Sequence, residues 1–292
     1  MNMDEIIKNK HGYYSVKNIP TEVELAEYYE KKYYQVAVGS YEIEYDAEEV
    51  LYFKNKIEER TYIIEQNLAA SNNKRFLDIG CGEGWALNNY KEKGWEVVGL
   101  DYSDFGCKKF NSSCQENLIV GNIYSNLKKL IVEKKQYSVV WIDNVLEHVT
   151  DPEFLVNEIK DVIEPGGILV IEVPNDFSFI QKYAIDKKLV DNEFWVVTPD
   201  HLSYFNKEGL SNLLSSSGYQ TIDFIADYPI DINLLNPNTN YVKDRTKGKS
   251  CHKERISFEN LIHQRPMDHV LDFYRACAQL GLGRQITGFF RL

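Results

Sequence analysis

Residues 74–84 constrain the fold of this chain more than any other stretch. They read KRFLDIGCGEG, so a run of strand-forming residues changes at once into a loop with glycine at 80, 82 and 84. Glycine leaves no side chain in the way, so a ligand can approach the backbone closely. A helical pattern follows at Trp85–Glu92. The sequence therefore predicts a strand, loop and helix unit that holds a ligand at the loop.

The spacing of these glycines bears on the kind of ligand. It is G-x-G-x-G, whereas a dinucleotide-binding loop needs G-x-G-x-x-G to seat a pyrophosphate on the helix N-terminus, and this argues against NAD. The next apolar run, residues 95–101, ends in Asp101. A carboxylate at the end of the second strand is where α/β nucleotide-binding domains hold ribose hydroxyls. A tight turn without a ligand remains the simpler alternative.

This set of segments resembles the class I S-adenosylmethionine-dependent methyltransferases. The first motif lies at residues 77–84, and the second strand ends in GLDYS at residues 99–103. Further segments follow in the family's order, at residues 121–123, 137–143, 145–149 and 164–175. The resemblance implies an α/β, Rossmann-like fold. It has a seven-stranded, mostly parallel sheet, an antiparallel last strand and helices on both faces.

The alternation of strands and helices over residues 74–175 independently favours a parallel sheet. Ligands of such sheets bind at the carboxyl ends of the strands. The resemblance implies S-adenosylmethionine as cofactor, with Asp78 at its amino end, Asp101 on both ribose hydroxyls and Asn122 at the adenine. Asn122 stands where the family often has aspartate. The full set of expected cofactor residues is Asp78, Gly80, Cys81, Gly82, Asp101, Tyr102, Asn122, Ile123 and Asn144.

Methyl transfer needs alignment of the acceptor and removal of its proton. His148 and His201 are the candidate bases, although each could instead hold a loop or cap a turn. The segment also resembles ubiquinone-type O-methyltransferases, in which two glutamates and a histidine can bind a divalent ion. Here Asn144 replaces the first glutamate and leaves Glu147 and His148. We therefore expect no metal site.

Residues 1–70 are expected to form an N-terminal helical cap. Thr21 can cap a first helix whose third position is Glu24, and a second helix is predicted at Ala47–Asn67. Tyrosines are frequent here, and most should be core residues. Tyr33 or Tyr34 could instead close over the cofactor as a lid and contact the substrate. Residues 71–292 form the expected catalytic core.

Residues 229–282 are expected to be a substrate-side insertion between the last two strands. It contains a basic cluster within an acidic chain, namely Lys249, His252, Lys253 and Arg255. Such side chains match phosphate oxygens, so His252 and Arg255 are predicted to contact an anionic acceptor. A solvated loop is the alternative. The whole arrangement is similar to bacterial methyltransferases associated with surface-polysaccharide and nucleotide-sugar synthesis.

Composition excludes several other classes. The chain carries 33 basic and 44 acidic side chains, a net charge of −11, which disfavours a nucleic acid partner. It has no apolar run long enough to span a membrane and no secretory leader pattern, so the cytoplasm is expected. The scattered cysteines fit reduced thiols. They lie at 81, 107, 114, 251 and 277.

The sequence thus predicts a methyltransferase that acts on a hydroxyl of a small, phosphorylated or nucleotide-linked, sugar-type acceptor. N-methylation of a small molecule is an alternative. So is aminopropyl transfer from a decarboxylated cofactor, which Asp78 disfavours because it suits an amino-acid end. A protein that binds the cofactor for regulation and lacks catalysis is a further alternative.

Overall fold

The computed structural model describes residues 5–21, 24, 44–68 and 73–292. Its strands are β1 (Ile6–Lys8), β2 (Tyr14–Val16), β3 (Arg75–Ile79), β4 (Glu96–Asp101), β5 (Leu118–Val120), β6 (Tyr137–Asp143), β7 (Ile163–Pro174), β8 (Ser203–Tyr204), β9 (Gln220–Ala226) and β10 (Gln285–Arg291). Its helices are α1 (Ala47–Asn67), α2 (Trp85–Glu92), α3 (Phe105–Phe110), α4 (Ile123–Val132), α5 (Pro152–Glu158), α6 (Phe179–Asp186), α7 (Lys207–Ser216), α8 (Gly248–Ile262) and α9 (Met267–Leu280).

A seven-stranded sheet with the order β5-β4-β3-β6-β7-β10-β9 forms the centre of the protein. Strand β3 pairs in parallel with β4 and β6, whereas β10 runs antiparallel to both β7 and β9. The central strands are continuous apolar runs, as expected for strands covered on both faces. The predicted mostly parallel sheet with an antiparallel last strand is confirmed.

The two faces of the sheet are covered by different helices. Helices α4, α5 and α7 pack on one face through buried residues such as Leu127, Leu155 and Leu213. Helices α1, α2 and α9 pack on the other through residues such as Ile64 and Leu87. The carboxyl ends of β3 to β7 are left at one edge of the sheet, which we call the carboxyl edge. The pairing of Ile286 with Ala226 brings the end of β9 to this edge as well.

The N-terminal segment contains the predicted helix α1, which Asp46 caps together with Glu49. It begins with strands, however, where a helical cap was expected. Strands β1 and β2 form a hairpin, and β2 also pairs with β8. A local pattern could not reveal this, because the partner of β2 lies late in the chain. Thr21 and Glu24 make the expected reciprocal capping contacts, and the helix they would begin lies outside the described residues.

The insertion between β9 and β10 is mainly helical. Two short 3-10 helices, Ile230–Leu235 and Arg245–Lys247, lead into α8 and α9. The basic cluster therefore lies on a regular helix, not on a loop. Within the described part of the chain, no helix combines the length and the apolar character that crossing a membrane would require.

Candidate functional site

The glycine loop joins β3 to α2 at the carboxyl edge. Gly80 has φ +79°, and a Cβ there would lie 2.2 Å from Cγ2 of Val145, so only glycine fits. Gly82 has φ +50°, and a Cβ there would meet no atom within 4 Å. The first glycine thus permits close packing against the segment after β6. The second exposes backbone to open space, where a ligand can approach.

Asp101, the last residue of β4, ties this loop in place. Its Oδ2 accepts a hydrogen bond from the Gly82 amide at 2.8 Å, and its Oδ1 accepts one from the Ser103 amide at 3.0 Å. Burial raises the pKa of Asp101, and these amides partly oppose that rise. A carboxylate has about four acceptor positions, so these two hydrogen bonds do not exhaust its capacity. Asp101 therefore caps its own strand end and keeps capacity for a ligand.

Asp78 lies close to two other carboxyl groups at the carboxyl edge. It is 3% exposed, and its pKa is raised well above the usual range by burial and by the neighbouring carboxylates of Asp143 and Asp101. The guanidinium of Arg60 opposes this rise. A positively charged ligand would stabilise the ionised form of Asp78. The charge distribution therefore favours a cation at this position.

Arg60 is a residue that the sequence did not single out. It extends from α1 and is buried, with Nη1 2.7 Å from Oδ2 of Asp143 and Nη2 in contact with Glu172. Glu172 also accepts a hydrogen bond from Thr287 at 2.6 Å. Burial raises the pKa of Glu172 to about 7, although Arg60 lowers it. These ion pairs join α1 to the ends of β6 and β7. Local sequence patterns cannot predict partners that lie so far apart in the chain.

Arg284 and Asp176 form a second pair of this kind. Arg284 Nη1 lies 3.0 Å from Oδ1 of Asp176, just beyond the end of β7. Asp176 is 1% exposed, and burial raises its pKa to about 6 against the opposing effect of Arg284. The pair adds a buried carboxylate to the carboxyl edge.

Tyr102 and Asn122 lie side by side where the adenine was expected. Asn122 caps α4, since its Oδ1 accepts from the Ser125 amide at 2.9 Å, and its Nδ2 donates to the Tyr102 hydroxyl at 3.2 Å. Tyr102 is half exposed and presents an aromatic face. Ile123 is buried in the core, so its side chain is part of the packing. Cys81 is also buried, and burial raises the pKa of its thiol.

Asn144 has φ +52° and is exposed at the end of β6. Its Nδ2 donates to Oδ1 of Asp143 at 2.7 Å, and its amide donates to the Glu172 carbonyl at 3.0 Å. Asn144 therefore orients Asp143, the carboxylate that Arg60 holds from the other side.

His148 and His201 lie together, with ring centroids 4.8 Å apart. His148 Nδ1 is 2.6 Å from the Asp200 carbonyl, so that nitrogen carries the proton and donates. The other nitrogen, Nε2, lies 3.7 Å from Oε1 of the buried Glu147. One ligand atom from each of Glu147, His148 and His201 lies within 4.8 Å of the others. The structure thus adds a third potential metal ligand to the two that the sequence indicated.

The backbone holds the His201 segment against Glu147. The Glu147 carbonyl accepts hydrogen bonds from the amides of Leu202 at 2.8 Å and Ser203 at 3.1 Å. The Val16 amide of β2 donates to the Leu202 carbonyl at 3.0 Å. The N-terminal hairpin therefore helps to bring His201 to the site.

The basic cluster of the insertion is divided. Arg255 Nη1 lies 3.7 Å from Oδ2 of Asp227, and its guanidinium covers the Tyr52 ring at 5.3 Å. His252 is exposed, with Nδ1 3.3 Å from Arg255 Nη2. Arg255 thus forms an internal ion pair at the end of β9, while Lys249, His252 and Lys253 face solvent. Tyr33 and Tyr34, the expected lid residues, lie outside the described residues.

A model of the methyltransferase domain family matches residues 55–223, more than half of the chain. The chain belongs to this family. Together with its sheet order and glycine loop, this makes it a class I S-adenosylmethionine-dependent methyltransferase. The expected family and cofactor are confirmed.

Curated relatives and solved structures are similar to the chain at low identity. A ubiquinone biosynthesis O-methyltransferase from Bartonella tribocorum is 26% identical over 185 residues, 61% of this chain and 72% of that protein. A probable S-adenosylmethionine-dependent methyltransferase from Mycolicibacterium smegmatis is 27% identical over 50% of this chain and 52% of its own length. A crystal structure of a SAM dependent methyltransferase from Archaeoglobus fulgidus shares the fold. Its TM-score is 0.50 at 21% identity, covering 91% of this chain and 99% of that one.

Proposed function

We propose that this methyltransferase moves the methyl group of S-adenosylmethionine to a hydroxyl of a small acceptor. The cluster of Glu147, His148 and His201 carries this proposal. It follows Val145, the residue that packs on Gly80 of the glycine loop. A group able to take a proton therefore lies beside the cofactor loop, where an acceptor must meet the methyl group.

The carboxylates of the carboxyl edge support the cofactor's placement. Asp78 faces the cofactor's positively charged amino end, and the cofactor's sulfonium adds a second positive charge to an acidic surrounding. Asp101 accepts from the ribose with the acceptor positions that Gly82 and Ser103 leave open. Tyr102 and Asn122 border the adenine. The positions of Asp101, Tyr102 and Asn122 are already fixed by hydrogen bonds.

The transfer is an in-line displacement at the methyl carbon. The acceptor oxygen forms the new bond to carbon, and the electron pair of the broken bond stays on sulfur. His148 receives the hydroxyl proton on Nε2, because its Nδ1 already donates to the Asp200 carbonyl. His201 contacts the same ring, so it lies beside the hydroxyl in this proposal.

The acceptor is phosphorylated or nucleotide-linked in this proposal. The exposed cations Lys249 and Lys253 on α8, with the exposed imidazole of His252 between them, support an anionic group in an otherwise acidic protein. The relative named as a ubiquinone biosynthesis O-methyltransferase supports a hydroxyl as the methylated group. Arg255 can join only if the acceptor competes with Asp227 for its guanidinium.

The test is an acceptor screen with the purified protein and S-adenosylmethionine. Sugar nucleotides, sugar phosphates and polyphenols are offered, and products are examined by mass spectrometry for the gain of one methylene. Methyl ethers from a phosphorylated acceptor are the expected result. Methylation of amines alone would contradict the choice of a hydroxyl, and cofactor binding without any transfer would favour a regulatory protein.

Two α8 variants separate the possible roles of the basic cluster. If Arg255 contacts the acceptor, Arg255→Ala raises the Michaelis constant for it at least about tenfold, because one charge-assisted hydrogen bond contributes roughly 1.5–3 kcal/mol. If Arg255 serves only its internal ion pair, the same change lowers the melting temperature and leaves that constant unchanged. Lys253 is exposed, so Lys253→Ala should leave the melting temperature unchanged. If this lysine contacts the acceptor, the same change should still raise the Michaelis constant. It is therefore the comparison for a contact that has no structural role.

A further inference from the structure

Three metal-ligating side chains from two separate segments converge beside the cofactor loop. Glu147 and His148 follow β6, whereas His201 comes from the turn before β8, and their ligand atoms lie within 4.8 Å of one another. In a tetrahedral zinc site, ligands at about 2.0–2.1 Å from the ion are about 3.4 Å from each other. Side-chain rotations that close the longest gap by about 1.4 Å would complete the geometry. We infer that Glu147, His148 and His201 form a binding site for a divalent transition-metal ion such as Zn²⁺.

The surroundings of two of these groups are those of metal ligands. The Asp200 carbonyl accepts the Nδ1 proton of His148 at 2.6 Å, which fixes the ring and directs the Nε2 lone pair toward Glu147. Metal-bound histidines commonly make this hydrogen bond through their other nitrogen. The imidazole is therefore already held in the tautomer that binding requires.

Glu147 provides an independent observation. It is 1% exposed, and its Oε2 is buried without a hydrogen-bond partner among the residues that the structure describes. A buried carboxylate without a charged partner is costly, and among the described residues neither a lysine nor an arginine is paired with Glu147, while the neighbouring His148 ring keeps its Nε2 lone pair in the tautomer described above. A divalent ion would supply the missing charge. The buried, unpartnered carboxylate oxygen therefore supports metal binding independently of the short distances between the three side chains.

The ligand set indicates which metal. Two imidazoles and one carboxylate suit Zn²⁺, Fe²⁺ or Co²⁺, whereas Mg²⁺ prefers an all-oxygen set. Asn144, which the resemblance placed at a metal-ligand position, donates its Nδ2 to Asp143. The site is therefore built by His201, a residue from a different part of the chain, and differs in chemistry from a set of two glutamates and one histidine.

The role of the ion rests on the proposed function, although its binding does not. With three protein ligands, a position remains open for the acceptor hydroxyl. Coordination would lower the pKa of that hydroxyl, so its proton would pass to solvent before the oxygen attacks the methyl carbon. In the metal-bound protein His148 and His201 would act as ligands and the ion would activate the hydroxyl, whereas His148 Nε2 is the proton acceptor of the proposed reaction when no ion is bound.

Metal binding is measured first, without S-adenosylmethionine or acceptor. The full-length protein is stripped with chelator and titrated with Zn²⁺ against a fluorescent zinc indicator, and with Co²⁺ by visible absorption. One equivalent should bind, and the Co²⁺ spectrum should show nitrogen coordination. His201→Asn and the isosteric Glu147→Gln should each weaken Zn²⁺ binding at least about tenfold, while His269→Ala, an exposed histidine of α9, should have no effect.

Circular dichroism and thermal melting establish whether each variant is folded. If His201→Asn is not folded, the test rests on Glu147→Gln. Equal Zn²⁺ affinity in wild type and in folded variants would overturn the site, as would binding of Mg²⁺ in preference to Zn²⁺. Cofactor binding is measured separately by calorimetry. Normal S-adenosylmethionine binding without Zn²⁺ binding would overturn this inference alone, whereas cofactor binding without methyl transfer by both the metal-free and the Zn²⁺-bound protein would count against the proposed reaction.

Discussion

The proposed cofactor side and the proposed acceptor side of the carboxyl edge are built in different ways. The cofactor side comes from residues close in sequence, in which Asp101 holds the Gly82 amide directly. The acceptor side is assembled from distant segments, since His201 reaches Glu147 through a backbone connection that the N-terminal hairpin helps to secure. A cofactor shared by many enzymes can be bound by a compact motif. An acceptor site must differ from one enzyme to another, and here it is formed by segments that lie far apart in the sequence.

The largest expected effect lies on the acceptor side. His148→Ala should reduce turnover by roughly 10²–10⁴-fold, because the group that deprotonates the acceptor, as base or as metal ligand, acts mainly in the transition state. Calorimetric affinity for S-adenosylmethionine should stay near wild type, and His269→Ala should match wild type in both measurements. If His148→Ala instead weakens cofactor binding and spares turnover, the division between the two sides is wrong.

Substitutions in the glycine loop test how Gly80 and Gly82 contribute to stability and to cofactor binding. Gly80→Ala should lower the free energy of unfolding by roughly 2–5 kcal/mol, since it adds left-handed backbone strain to a clash with Val145. Gly82→Ala should cost about 1–2 kcal/mol from strain alone but should weaken cofactor binding. Urea denaturation and calorimetry measure the two quantities. Equal stability losses would show that the packing against Val145 does not distinguish the two glycines.

The same division explains what the sequence could predict. The glycine loop, the strand end at Asp101 and helix α1 were predictable because short-range patterns encode them. The contacts of Arg60 with Asp143 and of His201 with Glu147 were not, because they join residues far apart in the chain. The pairing of β2 with β8 was missed for this reason as well. Arg255 was identified as a cation, but its partner Asp227 is visible only in the folded chain.

A variant of Asp101 tests whether this carboxylate binds the cofactor or only stabilises the glycine loop. Asp101→Ala should weaken S-adenosylmethionine binding by roughly 1–3 kcal/mol, the scale of lost charge-assisted hydrogen bonds. Asp161→Ala, at an exposed position after α5, is the control. Calorimetry on variants shown to be folded gives the answer. A folded Asp101→Ala protein with wild-type affinity would mean that this carboxylate serves the Gly82 amide alone.

The smallest expected effect concerns the contact between the insertion and α1. Buried charged side chains hold these two parts together, and no local sequence motif encodes the contact. His263 of the α8 end places Nε2 2.8 Å from Oε1 of Glu59 and Nδ1 2.6 Å from the Glu259 carbonyl. Lys56 lies 2.9 Å from Glu59 and 3.1 Å from Glu259, whose carboxylate also accepts from Tyr274. The insertion is thus joined to α1 by a cluster of alternating charges.

This cluster should make stability depend on pH. Burial alone would lower the pKa of His263, but the acceptors Glu59 and Glu259 raise it above its usual value. A raised folded-state pKa stabilises the protein fully below the unfolded value of about 6.5, and that stabilisation is lost as pH rises through the folded-state pKa. Wild type should therefore exceed His263→Gln by up to about 1 kcal/mol at low pH, with the difference shrinking on the alkaline side. Urea denaturation of both proteins across this range measures it, and a difference that does not change with pH would show that His263 contributes through packing and not through charge.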